Sequence, residues 1–311
     1  MTATVCLGLD TSNYTTSVAV FDGNMGENVG RLLDVPAGTL GLRQSDALFQ
    51  HVKRLPELFD VLRSKGLLQG IEAVGASTCP RAVEGSYMPC FLAGEGQGRA
   101  LAASMDLPYV PVSHQQGHIA AAAWSAGQME LLDRPMLAWH LSGGTTELLL
   151  VVPDGVNVKA TCIGGTSDIS AGQLIDRAGV LLGLPFPAGK ALDTLATQDD
   201  GTDFFRVKLK GLTFSLSGVE NQVKALAAKG ETQEHIARFT LDTVADAVYR
   251  ATATARAQYP GLSVLCSGGV ASNARLRARL EDAFFAQPCY STDNAMGPAI
   301  LAWRNLHRGE R

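Results

Sequence analysis

The chain has 311 residues, of which 46% are apolar, and a formal net charge of −4. That length corresponds to about two domains of ordinary size, and the apolar content is sufficient for a normal hydrophobic core. The acidic balance excludes the overall basic field that bulk nucleic-acid binders carry, so any polyanion must be bound locally.

The cysteines and the hydropathy pattern indicate a cytoplasmic protein. Six cysteines are scattered singly, and none belongs to a C-x-x-C pair, which predicts reduced, buried thiols. No run of about 18 apolar residues occurs, and the chain enters a strand pattern at its start, without the charged and apolar segments of a secretion signal. We therefore expect neither a membrane-spanning segment nor export.

The first elements along the chain are a predicted hairpin. Residues 5–10 are a β-type run that ends in the carboxylate of Asp10, residues 11–16 are a hydroxyl-rich turn, and residues 17–21 are a second β-type run. A helix with apolar spacing from Leu48 to Leu62 and a strand over residues 74–79 follow.

Two histidines stand four residues apart at the start of the next predicted helix. Ser113 and Gln116 have the spacing of a capping box, which places the helix start at His114. Residues at i and i+4 share one helix face, so His114 and His118 could hold one metal ion. The zinc proteases with a similar pair need a Glu beside the first His as general base, and here the residue is Gln115. Spacing alone fits equally well a capped helix with two incidental histidines.

The hairpin pattern recurs about half a chain later. Residues 136–141 are apolar, residues 142–146 are a small polar turn with two glycines, and residues 147–152 are again strand-like. A third glycine turn, residues 267–273, follows an apolar run, and residues 274–285 read as a helix. A strand, a glycine-rich turn and a helix in this order suit close approach of a phosphate or ribose.

The three turns in this order resemble the phosphate loops and adenosine loop of the superfamily of actin, the sugar kinases and the heat-shock chaperone ATPases. The resemblance implies an α/β, two-lobed fold with duplicated ribonuclease H-like lobes and a central cleft. We expect one lobe at residues 1–108 plus 291–311 and the other at residues 109–290. No P-loop motif and no G-x-G-x-x-G after a strand is present.

Six motifs in order resemble the TsaD family, whose members transfer a threonylcarbamoyl group from threonylcarbamoyl-AMP to N6 of adenosine 37 in tRNA, the t6A modification. The resemblance runs from about Val5 to Trp303. The motifs are His114-x-x-x-His118, Leu141-Ser-Gly-Gly-Thr-Thr146, Ala171-Gly-Gln-Leu-Ile-Asp176, Phe214-Ser-Leu-Ser-Gly218, Ser267-Gly-Gly-Val270 and Ser291-Thr-Asp-Asn294.

The resemblance assigns roles to individual residues. It implies a divalent iron or zinc ion held by His114, His118 and Asp293, and catalytic roles for Asp10 and Ser142. An adenine nucleotide or threonylcarbamoyl-AMP would be bound by a set of turn and helix residues. These are Ser142, Gly143, Gly144, Thr145, Gly172, Asp176, Gly189, Gly268, Gly269 and Asn273. The implied partners are tRNA, bound through a complex, and TsaB-like and TsaE-like proteins, with no membrane and no DNA.

Several residues depart from the family pattern. Tyr14 and Thr15 replace an acidic pair, Thr145 replaces a histidine, Gln173 replaces a glutamate, and Asp10 stands where a glutamate is usual. The metal ligands are retained while the surrounding residues differ, which indicates a divergent paralogue. Two alternatives follow: a carbamoyl-type transferase with another acceptor, and a non-catalytic partner of a true family enzyme. A metalloprotease is disfavoured by Gln115.

Overall fold

The computed structural model describes residues 4–12, 14–35 and 42–307. Asn13, in the predicted first hairpin turn, lies outside the described residues. The chain divides into two compact units: Met1–Arg134 with Val152–Ala160 and Asp293–Arg311 form the first, and Pro135–Val151 with Thr161–Thr292 form the second.

The first unit is built on a five-stranded mixed sheet with the order β3-β2-β1-β4-β5. β1 pairs antiparallel with β2 and parallel with β4, and β4 pairs parallel with β5. The strands are β1 (Val5–Thr11), β2 (Thr15–Phe21), β3 (Gly26–Leu32), β4 (Ile71–Cys79) and β5 (Tyr109–Ser113). The predicted first hairpin is therefore confirmed, and its first strand lies in the middle of the sheet.

Helices cover both faces of this sheet. They are α1 (Gln44–Ser64), α2 (Leu92–Ser104), α3 (His114–Ser125) and α9 (Met296–Leu306). Because side chains alternate along a strand, Leu7 and Leu9 join the apolar core beneath α1 and α2, whereas Cys6 packs with Ala302 of α9. β1 is consequently buried on both sides.

The boundary of the first unit differs from the predicted lobe boundary at residue 108. Residues 109–134 belong to the first unit because β5 extends its sheet and α3 packs against α9. Both contacts join segments far apart in sequence, so no local signal marks them.

The second sheet has seven strands in the order β12-β11-β6-β7-β8-β10-β9. It belongs to the second unit, except that the adjoining ends of β7 and β8 fall within Val152–Ala160 of the first unit. β6 pairs antiparallel with β7 and parallel with β11, and β11 pairs parallel with β12. The strands are β6 (Met136–Leu141), β7 (Thr146–Asp154), β8 (Asn157–Thr166), β9 (Leu209–Lys210), β10 (Thr213–Phe214), β11 (Ser263–Ser267) and β12 (Phe284–Phe285). The run 8-7-6-11-12 repeats the order 3-2-1-4-5 of the first sheet, which confirms the expected duplication.

Five helices accompany the second sheet. They are α4 (Ala171–Leu181), α5 (Gly189–Ala196), α6 (Ser217–Ala228), α7 (Gln233–Gln258) and α8 (Ala274–Arg279). Their apolar faces and the strand side chains form one core around Trp139, whose indole N–H donates to the Thr252 hydroxyl at 2.8 Å. The predicted helix over residues 274–285 was wrong beyond Arg279, because the chain turns there and Phe284 pairs with Leu265 as a strand.

The cysteine prediction holds only in part. Cys6, Cys90 and Cys266 are buried, but Cys162 and Cys289 are exposed. None of the helices in the described ranges is long and apolar enough to cross a membrane.

Candidate metal centre and nucleotide-binding turns

Three parallel strands of the first sheet end at one edge, and each delivers a polar side chain there. Leu9 of β1 pairs with Ala76 of β4, and Ser77 pairs with Val112 of β5. Asp10 and Ser77 are the next residues of β1 and β4, and His114 follows the end of β5 directly. The strand register therefore assembles these three residues.

The start of α3 is fixed by the predicted capping box. The Gln116 backbone N–H donates to Ser113 Oγ at 3.2 Å, and the Ser113 N–H donates to Gln116 Oε1 at 2.8 Å. Gln116 Nε2 also donates to the Val158 carbonyl at 2.8 Å. Two of the otherwise unpaired backbone groups at the helix N-terminus are satisfied, which fixes the start of the helix that carries both histidines.

His114, His118 and Asp293 converge within the first unit. The two Nε2 atoms are 2.9 Å apart, and Asp293 Oδ1 lies 3.4 Å from His114 Nε2 and 3.3 Å from His118 Nε2. The imidazole rings meet edge to face, with centroids 4.3 Å apart. Within the described ranges, this is the group of His, Cys, Asp or Glu side chains whose ligand atoms are close enough to share one metal ion.

The geometry of the three ligand atoms fits a tetrahedral metal site. Bonds of about 2.0–2.2 Å around a tetrahedral centre leave ligand atoms about 3.3–3.6 Å apart, which matches the two separations from Asp293 Oδ1 and is slightly longer than the 2.9 Å between the Nε2 atoms. His114 and Asp293 are partly exposed at 20% and 25% of their side-chain surface, so one side of the group remains accessible. Two imidazoles, one carboxylate and an open side are the donor set of a catalytic rather than a structural site.

The electrostatics of the group favour a bound cation. Burial alone lowers the pKa of His114, but the carboxylates of Asp10 and Asp293 outweigh burial and raise that pKa well above its usual value. Burial raises the pKa of Asp293, but its hydrogen bonds to His114 and His118 hold that pKa well below the ordinary value. Two carboxylates around two imidazoles thus stabilise positive charge, whether a proton or a metal ion carries it.

Asp293 stands just ahead of α9, and its neighbours fix the approach of the chain. The Ala295 N–H donates to Asn28 Oδ1 at 2.9 Å, and the Met296 N–H donates to Asn294 Oδ1 at 3.1 Å. The first of these bonds ties the segment to β3. Asp293 is therefore positioned by the sheet and by the start of the helix together.

The second unit contains the predicted nucleotide-binding turns. In the turn between β6 and β7, the Ser142 N–H donates to the Thr145 carbonyl at 2.8 Å, and the Thr145 N–H donates to Ser142 Oγ at 3.0 Å. The Ser142 hydroxyl thus closes the turn that contains Gly143 and Gly144. A Cβ at Gly172, on the first turn of α4, would lie 2.5 Å from the Gly143 Cα.

The glycine turn after β11 lies against the end of β6. Gly268 has a φ of 92°, and a Cβ there would lie 2.1 Å from the Leu141 carbonyl oxygen, so only glycine fits. Gly269 begins the short turn that leads to Asn273. Asn273 caps α8, because its Oδ1 accepts from the Leu276 N–H at 2.9 Å. The predicted residues of the two turns thus meet around the end of β6.

Asp176 and Gly189 belong to the helix pair α4 and α5. Asp176 Oδ1 accepts from the Ala188 N–H at 2.8 Å, and Gly189 is the first residue of α5. Sequence reasoning missed Asp193 of α5, whose Oδ1 accepts from Asn273 Nδ2 at 3.1 Å. No local motif marks Asp193, since its partner is 80 residues away.

The arginines of α8 are engaged within the unit. Arg275 bonds to Asp242 at 2.9 Å, Arg277 lies over the ring of Phe285, and Arg279 lies over the ring of Phe204. Their side chains are thus engaged by contacts within the second unit.

A family model and a curated relative both match this chain over most of its length. The family model for tRNA N6-adenosine threonylcarbamoyltransferase, TsaD, matches residues 45–300. A curated protein of Granulibacter bethesdensis named tRNA N6-adenosine threonylcarbamoyltransferase is 32% identical over 335 residues, which cover 97% of this chain and 88% of that protein.

Solved structures share the fold at low sequence identity. Full-length HypF in its phosphate- and nucleotide-bound form matches with a TM-score of 0.62 and 16% identity, over 98% of this chain and 56% of HypF. Component A of (R)-2-hydroxyglutaryl-CoA dehydratase from Acidaminococcus fermentans matches with a TM-score of 0.54 and 16% identity, over 97% and 98% of the two chains. A ROK family glucokinase from Streptomyces griseus, in complex with glucose and AMPPNP, matches with a TM-score of 0.53 and 12% identity, over 96% of this chain and 99% of the glucokinase. The expected fold of the actin and sugar kinase type is confirmed.

Proposed function

The chain belongs to the TsaD family of tRNA N6-adenosine threonylcarbamoyltransferases, and on that premise we propose that it uses a divalent metal ion to transfer threonylcarbamoyl from threonylcarbamoyl-AMP to adenosine 37 of tRNA. In this reaction the N6 amine attacks the carbamoyl carbon, the bond from that carbon to the AMP phosphate oxygen breaks, and AMP leaves. The N6 nitrogen loses one proton, which passes to water or to the phosphate of the released AMP. No redox partner is needed.

The observation that carries the proposal is the convergence of His114, His118 and Asp293 to separations of 2.9–3.4 Å. These residues would hold iron or zinc. When bound, such an ion supplies Lewis-acid polarisation of a carbonyl or phosphoryl oxygen. A non-catalytic partner of another enzyme has no chemical need for three such ligands, so the retained set favours an enzyme.

The second unit would bind the adenylate through its turns. The backbone N–H groups around Gly143 and Gly144 and the Ser142 hydroxyl would contact phosphate, as small turns of this kind do in other proteins. Asp176 would accept hydrogen bonds from ribose hydroxyls with the oxygen that Ala188 does not use. The glucokinase and HypF structures of similar fold contain nucleotides, which supports a nucleotide site of this type.

We propose that tRNA is held in part by other proteins of TsaB-like and TsaE-like type in the cytoplasm. The net charge of −4 and the internal contacts of Arg275, Arg277 and Arg279 support this division of labour. Polyanion binding needs positive charge that this chain does not supply in excess.

The test is transfer of labelled threonine to unmodified tRNA in the presence of bicarbonate, ATP and the partner proteins of a working family enzyme. We expect transfer by the wild-type chain, its loss in Asp293→Ala, and its retention in Asp60→Ala, which removes an exposed carboxylate of α1. Absence of transfer beside an active control enzyme would contradict the proposal. That result would favour another acceptor, consistent with Thr145, Tyr14 and Thr15 in place of the family's residues.

A further inference from the structure

Asp10 is a buried carboxylate that receives three hydrogen-bond donors. Its side chain is 1% exposed. Oδ2 accepts from Ser77 Oγ at 2.5 Å and contacts His114 Nδ1 at 2.8 Å, while Oδ1 accepts from the Ser12 N–H at 3.1 Å. The three donors come from β4, α3 and the turn after β1, so the carboxylate joins the elements at this edge of the sheet.

The contact with His114 determines which ring nitrogen carries the proton. An ionised carboxylate only accepts hydrogen bonds, so His114 Nδ1 must donate to it. In the neutral ring, His114 Nε2 then presents its lone pair toward Asp293 and His118. This is the protonation pattern that a metal-binding histidine requires, and a carboxylate partner also raises the basicity of the ligand nitrogen.

We propose that Asp10 is a positioning residue of the metal centre, which holds His114 in its metal-binding tautomer and orientation and is itself held by Ser77 and Ser12. This inference rests on the proposed metal site and refines the catalytic role expected for Asp10. Because its side chain is almost completely buried, Asp10 acts through His114 and not by contact with substrate. Ser77 was not singled out in the sequence and becomes a supporting residue.

Asp10→Asn tests the role with almost no change in side-chain volume. If the amide NH2 takes the place of Oδ2, it faces His114 Nδ1 as a donor and favours the tautomer with the proton on Nε2. If the NH2 takes the place of Oδ1, it faces the Ser12 N–H, and two donors then oppose each other. The first arrangement opposes the metal-binding tautomer directly, and the second keeps the His114 contact but loses the Ser12 hydrogen bond and the negative charge of the carboxylate. Outer-shell partners of this kind typically contribute 10- to 100-fold to metal affinity.

The experiment measures Zn²⁺ affinity of the purified, metal-free chain by competition with a chromogenic chelator, together with the visible spectrum of the Co²⁺ form. We expect Asp10→Asn to bind Zn²⁺ about 10- to 100-fold more weakly and to change the Co²⁺ spectrum. Asp60→Asn, the same chemical change on the exposed face of α1, should leave both unchanged. Circular dichroism of the metal-free proteins establishes that the variants are folded.

Ser77→Ala provides a second variant in case Asp10→Asn does not fold. It removes one donor to the carboxylate and should weaken Zn²⁺ binding by roughly 2- to 10-fold, the range of a typical single hydrogen bond. Wild-type Zn²⁺ affinity in a folded Asp10→Asn would overturn the positioning role of Asp10 but not the metal centre. If Asp10→Asn is unfolded, wild-type Zn²⁺ affinity in Ser77→Ala would have the same meaning. Failure of the wild-type chain to bind Zn²⁺ would overturn the metal centre, and with it both proposals.

Discussion

Gly117 of α3 and Gly297 of α9 meet backbone to backbone, and a Cβ on Gly297 would lie 2.0 Å from the Gly117 carbonyl oxygen. Gly117 stands between the two histidines, and Gly297 follows Asp293 by four residues. α9 makes similar close contacts with the sheet, since a Cβ at Gly8 would lie 2.6 Å from the Ala299 backbone nitrogen. The distance between the histidines and the aspartate is therefore set by contacts that only glycine permits.

Gly297→Ala should push α9 away from α3. Overpacking of this kind typically costs about 1–3 kcal/mol in the free energy of unfolding, and the displaced Asp293 should weaken Zn²⁺ binding as well. Urea unfolding and Zn²⁺ titration measure the two effects. Gly96→Ala is the matched control, because Gly96 lies in α2 and has open space where its Cβ would be. The control should be neutral or more stable by up to about 1 kcal/mol. Equal stability of both variants would contradict this packing argument.

The sequence predicted the two histidines of the candidate site but not the contacts that position them. The capping box of Ser113 and Gln116 is local, so the helix start and the shared face of His114 and His118 followed from spacing. Asp293 is 175 residues from His118, so only the order of the motifs identifies it. Ser77 carried no signal, because its role depends on strand register.

His118→Ala should remove metal binding. Loss of one of three protein ligands leaves His114 and Asp293, which do not enclose an ion, and we expect Zn²⁺ affinity to fall at least about 100-fold. Metal content after dialysis and chelator competition measure it. The control is His235→Ala in α7, whose ring contacts Asp203 and Glu231 in the second unit. A comparable loss in both variants would mean that Zn²⁺ binds elsewhere or nonspecifically.

Gly172→Ala should disturb the turn between β6 and β7. Its Cβ would lie 2.5 Å from both the Ser142 carbonyl oxygen and the Gly143 Cα, so the turn must move. We expect AMP to bind at least about 10-fold more weakly by calorimetry, because small displacements of backbone donors weaken phosphate contacts. Gly218→Ala in α6, where a Cβ meets open space, should bind AMP as the wild type does. Wild-type affinity in Gly172→Ala would place the nucleotide site elsewhere.

The fold was predictable where its signals were local. Both hairpins followed from strands that flank short polar turns, and α1 followed from its apolar spacing. The chain after Arg279 was not predictable, because the two-residue strand β12 forms only by pairing with β11. The end of the first unit at Arg134 has the same kind of cause, since it depends on β5 joining a sheet that begins more than 100 residues earlier in the chain.

His51 should make the stability of the first unit depend on pH. The ring is buried between two partners: Nε2–H donates to the Ser12 carbonyl at 2.8 Å, so Nδ1 accepts from the Thr16 hydroxyl at 2.8 Å. Burial lowers the pKa of His51 to about 4, despite the opposing effects of the Ser12 hydrogen bond and Asp10. The neutral ring is therefore the form that the folded state requires.

The sign of the effect follows from comparing the two states. In the unfolded chain His51 takes up a proton near its ordinary pKa of about 6.5, whereas in the folded chain it does so only near pH 4. Between these values the unfolded state binds more protons, so stability falls as the pH falls, by on the order of 3 kcal/mol in total. Above pH 6.5 His51 contributes no pH dependence. His51→Gln, which can keep both hydrogen bonds, should flatten this part of the stability curve.

Urea unfolding of the wild type and His51→Gln at several pH values from 4 to 7 measures this difference. His235→Gln is the control with opposite sign, because hydrogen bonding to Asp203 raises the pKa of His235. A group whose pKa is raised in the folded state stabilises the fold at pH values below its unfolded-state pKa, and this contribution is lost as the pH rises. Replacing His235 should therefore lower the free energy of unfolding most at low pH. If the free energies of unfolding of His51→Gln and the wild type change in parallel from pH 6.5 to 4, the prediction that His51 is buried in its neutral form is wrong.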